Sequence, residues 1–91
     1  MTFNELTFEK DDYDMQESAW HIYDNNYGVS VVRGPYTFGG DKGLYELAII
    51  YMAPEDKESR ICYDTPITND VMGHLAPEDV TEIMKQVSEL V

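Results

Sequence analysis

The sequence predicts an α+β fold, in which a small antiparallel meander of three or four strands is packed by a C-terminal amphipathic helix. Residues 27–66 hold β-branched and aromatic runs separated by short connections, as consecutive antiparallel strands do. Residues 77–91 instead space their apolar side chains three and four apart, which is typical of a helix. A chain of 91 residues is the size of one domain. We divide that domain (1–91) into an acidic N-terminal segment (1–26), a β-meander (27–66) and a C-terminal helical part (67–91).

The acidic N-terminal segment contains two short apolar patches, and each has two interpretations. The first, within residues 3–8, forms either a short strand or an arm docked on the core. The second, Met15–Tyr23, suits a short helix because its apolar residues recur at helical spacing, but His21–Tyr23 could equally open a strand. The apolar residues are Phe3, Leu6 and Phe8 in the first patch and Met15, Ala19 and Ile22 in the second.

Two strands and a glycine-rich loop follow in the meander. Asn25–Gly28 has the composition of a turn, because asparagine and glycine tolerate positive φ. Val29–Arg33 is rich in β-branched residues and predicts a strand, and Gly34–Gly43, with four glycines, predicts a loop. Leu44–Met52 is largely apolar on both of its alternating faces. This pattern indicates a central strand that is covered on one side and partly shielded on the other.

A third strand and the final helix complete the chain. Arg60–Asp64 follows a charged connection and predicts the third strand. Asp70–Leu75 predicts a single helical turn interrupted by Gly73. Pro77 then marks the first position of the final helix, because proline is best tolerated there. The apolar stripe of that helix consists of Val80, Ile83, Met84, Val87, Leu90 and Val91.

The charge of the chain is its main functional signal. It has 18 aspartates and glutamates against 6 lysines and arginines, a formal net charge of −12. A surface this negative repels nucleic acid and anionic lipid, so we expect a protein partner with a basic surface and no direct binding to nucleic acid or membrane. The plain alternative is that the charge keeps a small protein in solution. The single cysteine, Cys62, fits a reducing cytosol, and the acidic residues that follow Met1 predict no secretory signal.

No catalytic or metal-binding pattern accompanies the charge. Cys62 lies in a predicted strand, where a lone cysteine is usually a small buried hydrophobe, and the two histidines lie far from it in sequence. The residues from Asp12 onwards do not match the motif of a calcium-binding loop, because Glu17 occupies the glycine position and Tyr23 the position of the final glutamate. We therefore expect a protein that is not an enzyme and that takes neither a metal nor a cofactor.

Two kinds of surface are candidates for partner binding. The predicted loop Gly34–Gly43 carries Tyr36 and Phe38, and aromatic residues on a connection this long make good interface anchors. Carboxylates also cluster on three predicted elements. If the fold gathers these clusters on one face, they would form a negative stripe resembling a nucleic-acid backbone. The alternatives are an ordinary solvated surface and, at the start of the last helix, stabilisation of the helix dipole. The clusters are Asp11, Asp12 and Asp14; Glu55, Asp56 and Glu58; and Glu78, Asp79 and Glu82.

Two stretches of the chain carry a recognisable pattern. The first consists of Tyr27–Arg33 together with Gly43–Ala48. The second consists of Cys62–Thr68 together with Asp70–Gly73. Together they resemble short uncharacterised proteins encoded by tailed bacteriophages and prophages, in which the same order of hairpin, Cys-Tyr-Asp-Thr-Pro-Ile run and final acidic helix recurs. The resemblance covers about residues 27–90. It implies a viral accessory protein in the cytoplasm of a bacterial host, and it implies no particular catalytic or binding residue.

Charge and resemblance together lead to two hypotheses for the function. In the first, the protein binds a basic, nucleic-acid-binding surface of a host complex and inhibits it by charge mimicry; restriction, CRISPR and transcription complexes are candidate targets. In the second, the protein is a structural or regulatory interaction module, or a homodimer, that acts through the aromatic Gly34–Gly43 loop.

Overall fold

The structure, a computed structural model, describes residues 2–11, 15–68 and 70–90. The predicted α+β class is confirmed, because the described residues form an antiparallel sheet with a C-terminal helix packed on it. The elements are β1 (Glu9–Asp11), β2 (Gln16–Ile22), β3 (Tyr27–Arg33), β4 (Tyr45–Tyr51), β5 (Arg60–Ile61), β6 (Met72–Leu75) and α1 (Pro77–Ser88), with 3-10 turns at Phe3–Glu5 and Gly40–Lys42. The sheet order is β1-β2-β3-β4, and β5 and β6 both pair with β4.

The segment Met15–Tyr23 contains a strand, so of its two interpretations the helix is wrong; the strand, expected to open at His21, already spans Gln16–Ile22. β2 pairs antiparallel with β3 along most of its length. Exposure follows the period of a strand, since Ala19 is buried whereas the next residue, Trp20, is 68% exposed. The apolar spacing in this segment is compatible with a helix, but the backbone hydrogen bonds of the sheet and the burial of Ala19 favour the strand.

Strands β5 and β6 are two pieces of one edge strand. β5 pairs with the last two residues of β4, and β6 pairs with the first half of β4. Between them, the Cys62 N–H donates to the Ile49 carbonyl oxygen at 2.7 Å. Residues 63–68 and 70–71 lie outside the sheet, which the chain rejoins at β6. The predicted strand Arg60–Asp64 is therefore present but ends earlier than expected.

The helical turn predicted over Asp70–Leu75 is also wrong, because β6 occupies most of that segment. Gly73 does not interrupt a helix there. Instead, a Cβ at this position would collide with the Cβ of Phe38, so glycine lets the Gly34–Gly43 loop lie against β6. The next residue, His74, takes a positive φ of 57°, at the irregularity in the register between β6 and β4.

The hydrophobic core lies between α1 and the face of the sheet that packs against it. The helix begins at Pro77, as predicted, and its predicted stripe contributes to the core. Ile83 and Leu90 pack at the border of this core, and Val91 lies outside the described residues. Each fully buried aliphatic side chain stabilises the fold by about 1.5–3 kcal/mol. These side chains are Val29, Val31, Leu47, Ile49, Val80, Met84 and Val87.

The N-terminal apolar residues form a docked arm, one of the two predicted outcomes. The ring centroids of Phe3 and Phe8 lie 4.9 and 5.5 Å from that of Tyr45, and the Phe3 N–H donates to Thr81 Oγ1 at 3.0 Å. The chain then enters β1, an edge strand whose three residues are charged and exposed. Charged edges of this kind disfavour pairing with a further strand.

Asn25 joins the β2–β3 turn to the end of α1. Its Nδ2 donates to the carbonyl oxygens of Val87 and Leu90, both at 2.9 Å, and its Oδ1 accepts the Tyr27 N–H at 3.0 Å. The last carbonyls of a helix have no donor within the helix. This one side chain therefore caps the helix and fixes the turn at the same time.

Replacing Asn25 with alanine is expected to lower the free energy of unfolding by about 1–3 kcal/mol, because the three hydrogen bonds of this side chain are lost. Asn25→Asp is expected to cost at least as much. Its carboxylate can still accept the Tyr27 N–H, but it places a negative charge at the negative end of the helix. Urea unfolding followed by circular dichroism measures both changes. An Asn25→Asp variant as stable as the wild type would show that this cap does not hold the helix.

Candidate interaction surface

The topology gathers three separate segments at one end of the sheet, here called the loop end. It consists of Asp11, the loop Gly34–Gly43 and the first turn of α1, Pro77–Asp79. Asp11 pairs with Gln16, and a Cβ on Gly34 would lie 3.1 Å from the Gln16 Cα, so the loop starts beside β1 and β2. The opposite end, here called the turn end, consists of residues 23–26, 52–59 and 88–90.

The Gly34–Gly43 loop is fastened to itself and to β6. Thr37 Oγ1 accepts the Gly34 N–H and donates to the Gly34 carbonyl oxygen, both at 3.0 Å. The carbonyl oxygen of Phe38 accepts the His74 N–H at 3.1 Å. A loop held in this way keeps its shape before a partner arrives, which lowers the entropy cost of binding.

Tyr36 and Phe38 project from this fastened loop into solvent. Tyr36 is 90% exposed and Phe38 is 64% exposed, and Met15, which precedes β2 at the same end, is 63% exposed. Side chains this exposed contribute little to the core. Their burial in a partner's pocket would remove a large apolar area from water. The structure therefore presents both predicted aromatic anchors on a preformed surface.

Described members of two of the three predicted acidic clusters lie at the loop end. Asp11 is exposed at the end of β1, whereas Asp12 and Asp14 lie outside the described residues. Glu78 and Asp79 are exposed on the first turn of α1. The Asp79 carboxylate accepts the Ala76 N–H at 3.0 Å, so it also caps the helix. Glu82, exposed as well, lies one turn further along α1 and extends this cluster away from the loop.

The remaining acidic cluster lies at the turn end, in the connection between β4 and β5. Glu55 and Glu58 are exposed there, and Asp56 accepts a hydrogen bond from Arg60 at 3.3 Å. The fold thus separates Glu55, Asp56 and Glu58 from the other two clusters by the length of the sheet. The described members of the predicted clusters are thus divided between the two ends, and the loop end combines carboxylates with exposed aromatic residues.

Two apolar surfaces were missed by the sequence reasoning. Trp20 borders an open groove of about 480 Å³ on the face of the sheet that α1 does not cover, together with Ala48, Ile50 and Ile61. A strand over Met15–Tyr23 places Trp20 on the opposite face of the sheet from Ala19, because successive side chains alternate. That assignment would have predicted the exposure of Trp20. A second cavity, lined by tyrosines, depends on the pairing of β3 with β4, which the sequence does not specify.

Cys62 is half-buried beside Asp64 rather than fully buried. Its Sγ lies 2.9 Å from Asp64 Oδ1, to which the thiol donates. Burial raises the pKa of the Cys62 thiol above its ordinary 9.0, and the hydrogen bond to Asp64 raises it further. A thiol with a raised pKa is mostly protonated at neutral pH and is a poor nucleophile.

We expect alkylation of Cys62 by iodoacetamide to be several-fold slower than alkylation of a free thiol peptide, with a rate that still rises above pH 9.0. Asp64→Asn removes the anion that favours the protonated thiol, so this variant should react faster at every pH below that point. Mass spectrometry of quenched samples measures both rates. If the variant reacts at the wild-type rate, Asp64 does not control the thiol.

Neither a metal-binding cluster nor a membrane-spanning helix is present among the described residues. Across residues 2–11, 15–68 and 70–90, no group of three or more histidine, cysteine, aspartate or glutamate side chains is arranged to hold a metal ion. In the same part of the chain, no helix has both the length and the apolar character needed to cross a membrane. Comparisons with protein-family models, curated proteins and solved structures gave no match.

Proposed function

We propose that the protein is a small, non-enzymatic binding protein whose loop end docks on the basic, nucleic-acid-binding surface of a bacterial host complex and blocks it. Tyr36 and Phe38 are the anchors of this contact. Asp11, Glu78 and further carboxylates around them attract the basic partner and exclude nucleic acid from the same surface.

The exposure of Tyr36 and Phe38 on a fastened loop is the observation that carries this proposal. Aromatic residues at the centre of an interface, surrounded by polar groups, supply most of the binding energy in many complexes. At the loop end, the two rings stand on a backbone held by Thr37 and by the contact between Phe38 and His74. Little conformational entropy is lost when such a loop binds.

The charge supports a basic partner. Of the described carboxylates at the loop end, Asp11, Asp41, Glu78 and Asp79 are exposed, with Lys42 as a nearby cation. The net charge of −12 adds a long-range field that speeds encounter with a positive surface and weakens as salt is added. The resemblance to phage and prophage proteins favours a host complex as the target.

The proposal is tested by quantitative capture from a bacterial lysate with the immobilised protein as bait. We expect enrichment of a nucleic-acid-binding protein or complex, release as salt is raised, and competition by added duplex DNA. The matched control bait carries Trp20→Ala, which removes an exposed aromatic side chain outside the loop end and should capture the same complex. Enrichment that is insensitive to both salt and DNA would contradict the proposal.

A homodimer formed through the Gly34–Gly43 loop is the second candidate, since the exposure of Tyr36 and Phe38 suits self-association equally well. Mutual repulsion between two copies of charge −12 opposes it. Sedimentation velocity from micromolar to millimolar concentration, at low and high salt, distinguishes the two. A dimer that strengthens with salt and is lost in Tyr36→Ala would favour self-association over a basic partner.

A further inference from the structure

A cavity walled by three tyrosines opens on the side of the turn end, away from the proposed docking loop. Its volume is about 580 Å³, within the range of about 300–1,000 Å³ that is typical of small-molecule sites. Tyr27 and Tyr51 come from the paired strands β3 and β4, and Tyr63 comes from the segment that leaves the sheet after β5. The cavity is lined by Tyr27, Tyr51, Arg60, Ile61, Cys62, Tyr63 and Asp64.

The first two rings form a corner of the cavity. Tyr27 and Tyr51 face one another across the β3–β4 pair, with ring centroids 4.9 Å apart and planes inclined at 63°. Tyr63 is 52% exposed, so its ring is accessible to a ligand in the cavity. In an edge-to-face pair, the π-face of each ring that the pair does not cover can still attract a cation.

The charges around the cavity favour a cation. The Asp64 carboxylate is exposed at its wall and receives the Cys62 thiol on one oxygen, which leaves the other oxygen for a ligand. The one positive side chain in the lining, Arg60, donates to Asp56 at 3.3 Å, so its charge is matched by a carboxylate. The negative field of the whole chain adds to the local attraction.

Asp64 also lies close enough to influence Tyr27. The pKa of the Tyr27 hydroxyl is raised, first by burial and then by the neighbouring Cys62, Asp64 and Tyr51. This ring therefore stays neutral at physiological pH. The attraction that Tyr27 offers a cation is therefore that of a neutral ring, and the negative charge of the site comes from Asp64.

We propose that the Tyr27–Tyr51–Tyr63 cavity binds an organic ammonium cation, either a methylated lysine side chain of a protein or a free quaternary amine. The three rings supply cation–π attraction to the methylated nitrogen, and the Asp64 carboxylate supplies the opposite charge. The site is independent of the loop end, so it stands or fails separately from the proposed function.

The test is titration of the full chain, followed by NMR chemical shifts of the tyrosine rings. Choline is compared with its neutral carbon analogue, 3,3-dimethylbutan-1-ol, which has the same shape without the charge. Choline should shift the resonances of Tyr27, Tyr51 and Tyr63 and should bind about 10-fold more tightly than the neutral analogue. Equal binding of the two compounds, or no shift with choline up to tens of millimolar, would overturn the proposal.

Two variants locate the site. Tyr63→Leu and Asp64→Asn should each weaken choline binding several-fold, whereas Tyr36→Leu, which removes a more exposed tyrosine at the loop end, should not change it. Both lining residues are exposed, so the variants are expected to fold, and circular dichroism verifies this. Unchanged affinity in both lining variants would place choline elsewhere and refute the assignment.

The source of the cation is identified in a second arm. A short peptide with trimethyl-lysine is titrated beside the same peptide with unmodified lysine. Tighter binding of the methylated peptide than of choline supports a methylated protein as ligand, and equal binding supports a free quaternary amine. If the unmodified peptide binds as well as the methylated one, the rings do not recognise the methylated nitrogen and the proposal fails.

Discussion

Replacing Leu47 with alanine is expected to lower the free energy of unfolding by about 2–5 kcal/mol. Leu47 has no exposed surface, lies in the middle of the central strand β4 and packs in the core that α1 covers. Truncation removes buried apolar surface and leaves a cavity that β4, paired on both of its edges, cannot close by moving. Most domains of this size are stable by only about 5–15 kcal/mol, so a large share of the stability is lost.

Urea and thermal unfolding, followed by circular dichroism, measure this loss. The matched control is Ile61→Ala, which removes a similar aliphatic volume from the same sheet at a position that is 44% exposed. We expect it to cost less than about 1 kcal/mol, because little buried surface is lost. Equal losses for the two variants would mean that the core does not lie on the α1 side of the sheet.

The double change Tyr36→Ala/Phe38→Ala is expected to weaken binding to the captured host partner by about 100-fold or more while leaving the fold intact. Both side chains are mostly exposed, so their removal costs the free protein little. In the complex, the same truncation removes the two anchors around which the contact is proposed to form. Surface plasmon resonance measures the affinity, and thermal unfolding measures the stability.

A second double variant distinguishes the contribution of the aromatic anchors from that of the negative charge. Asp11→Asn/Glu78→Gln should reduce the association rate and its dependence on salt, with a smaller effect on the dissociation rate than the aromatic double change has. Both positions are exposed. If the charge variants abolish binding while the aromatic variants bind normally, charge alone makes the contact and the loop has no part in it.

Elements defined by strong local periodicity could be predicted from the sequence. The alternating apolar residues of Leu44–Met52 and the stripe that follows Pro77 correspond closely to β4 and α1. In both cases the local pattern and the tertiary burial agree. In Met15–Tyr23 the apolar residues suit both a helix and a strand, and the pairing with β3 determines that a strand forms. The local sequence does not show which segment will be the strand partner.

β6 could not be predicted for a related reason. Gly73 has low preference for either regular structure, and its value in the fold comes from Phe38, which lies 35 residues earlier in the chain and packs where a Cβ would stand. Likewise, the separation of Glu55, Asp56 and Glu58 from Glu78 follows from strand order and direction. Composition showed that the surface would be acidic, but the division of that acidity between two ends needed the complete topology.

The candidate anchors were easier to identify than their surroundings. Tyr36 and Phe38 stand among glycines in a long connection, a context in which aromatic side chains find few intramolecular contacts. The tyrosine cavity gave no such signal. Tyr27 and Tyr51 belong to different strands and become neighbours only through the β3–β4 register, which a single sequence does not fix.

Displacement of DNA from the captured host complex is the measurement closest to the proposed function. The complex is bound to fluorescently labelled duplex DNA, and the protein is titrated in while anisotropy is followed. We predict that the wild-type protein releases the DNA at near-stoichiometric concentration and that Tyr36→Ala/Phe38→Ala does not. A stable assembly that holds the host complex, the DNA and the protein together would contradict the proposal that its acidic, aromatic loop end occupies the nucleic-acid site.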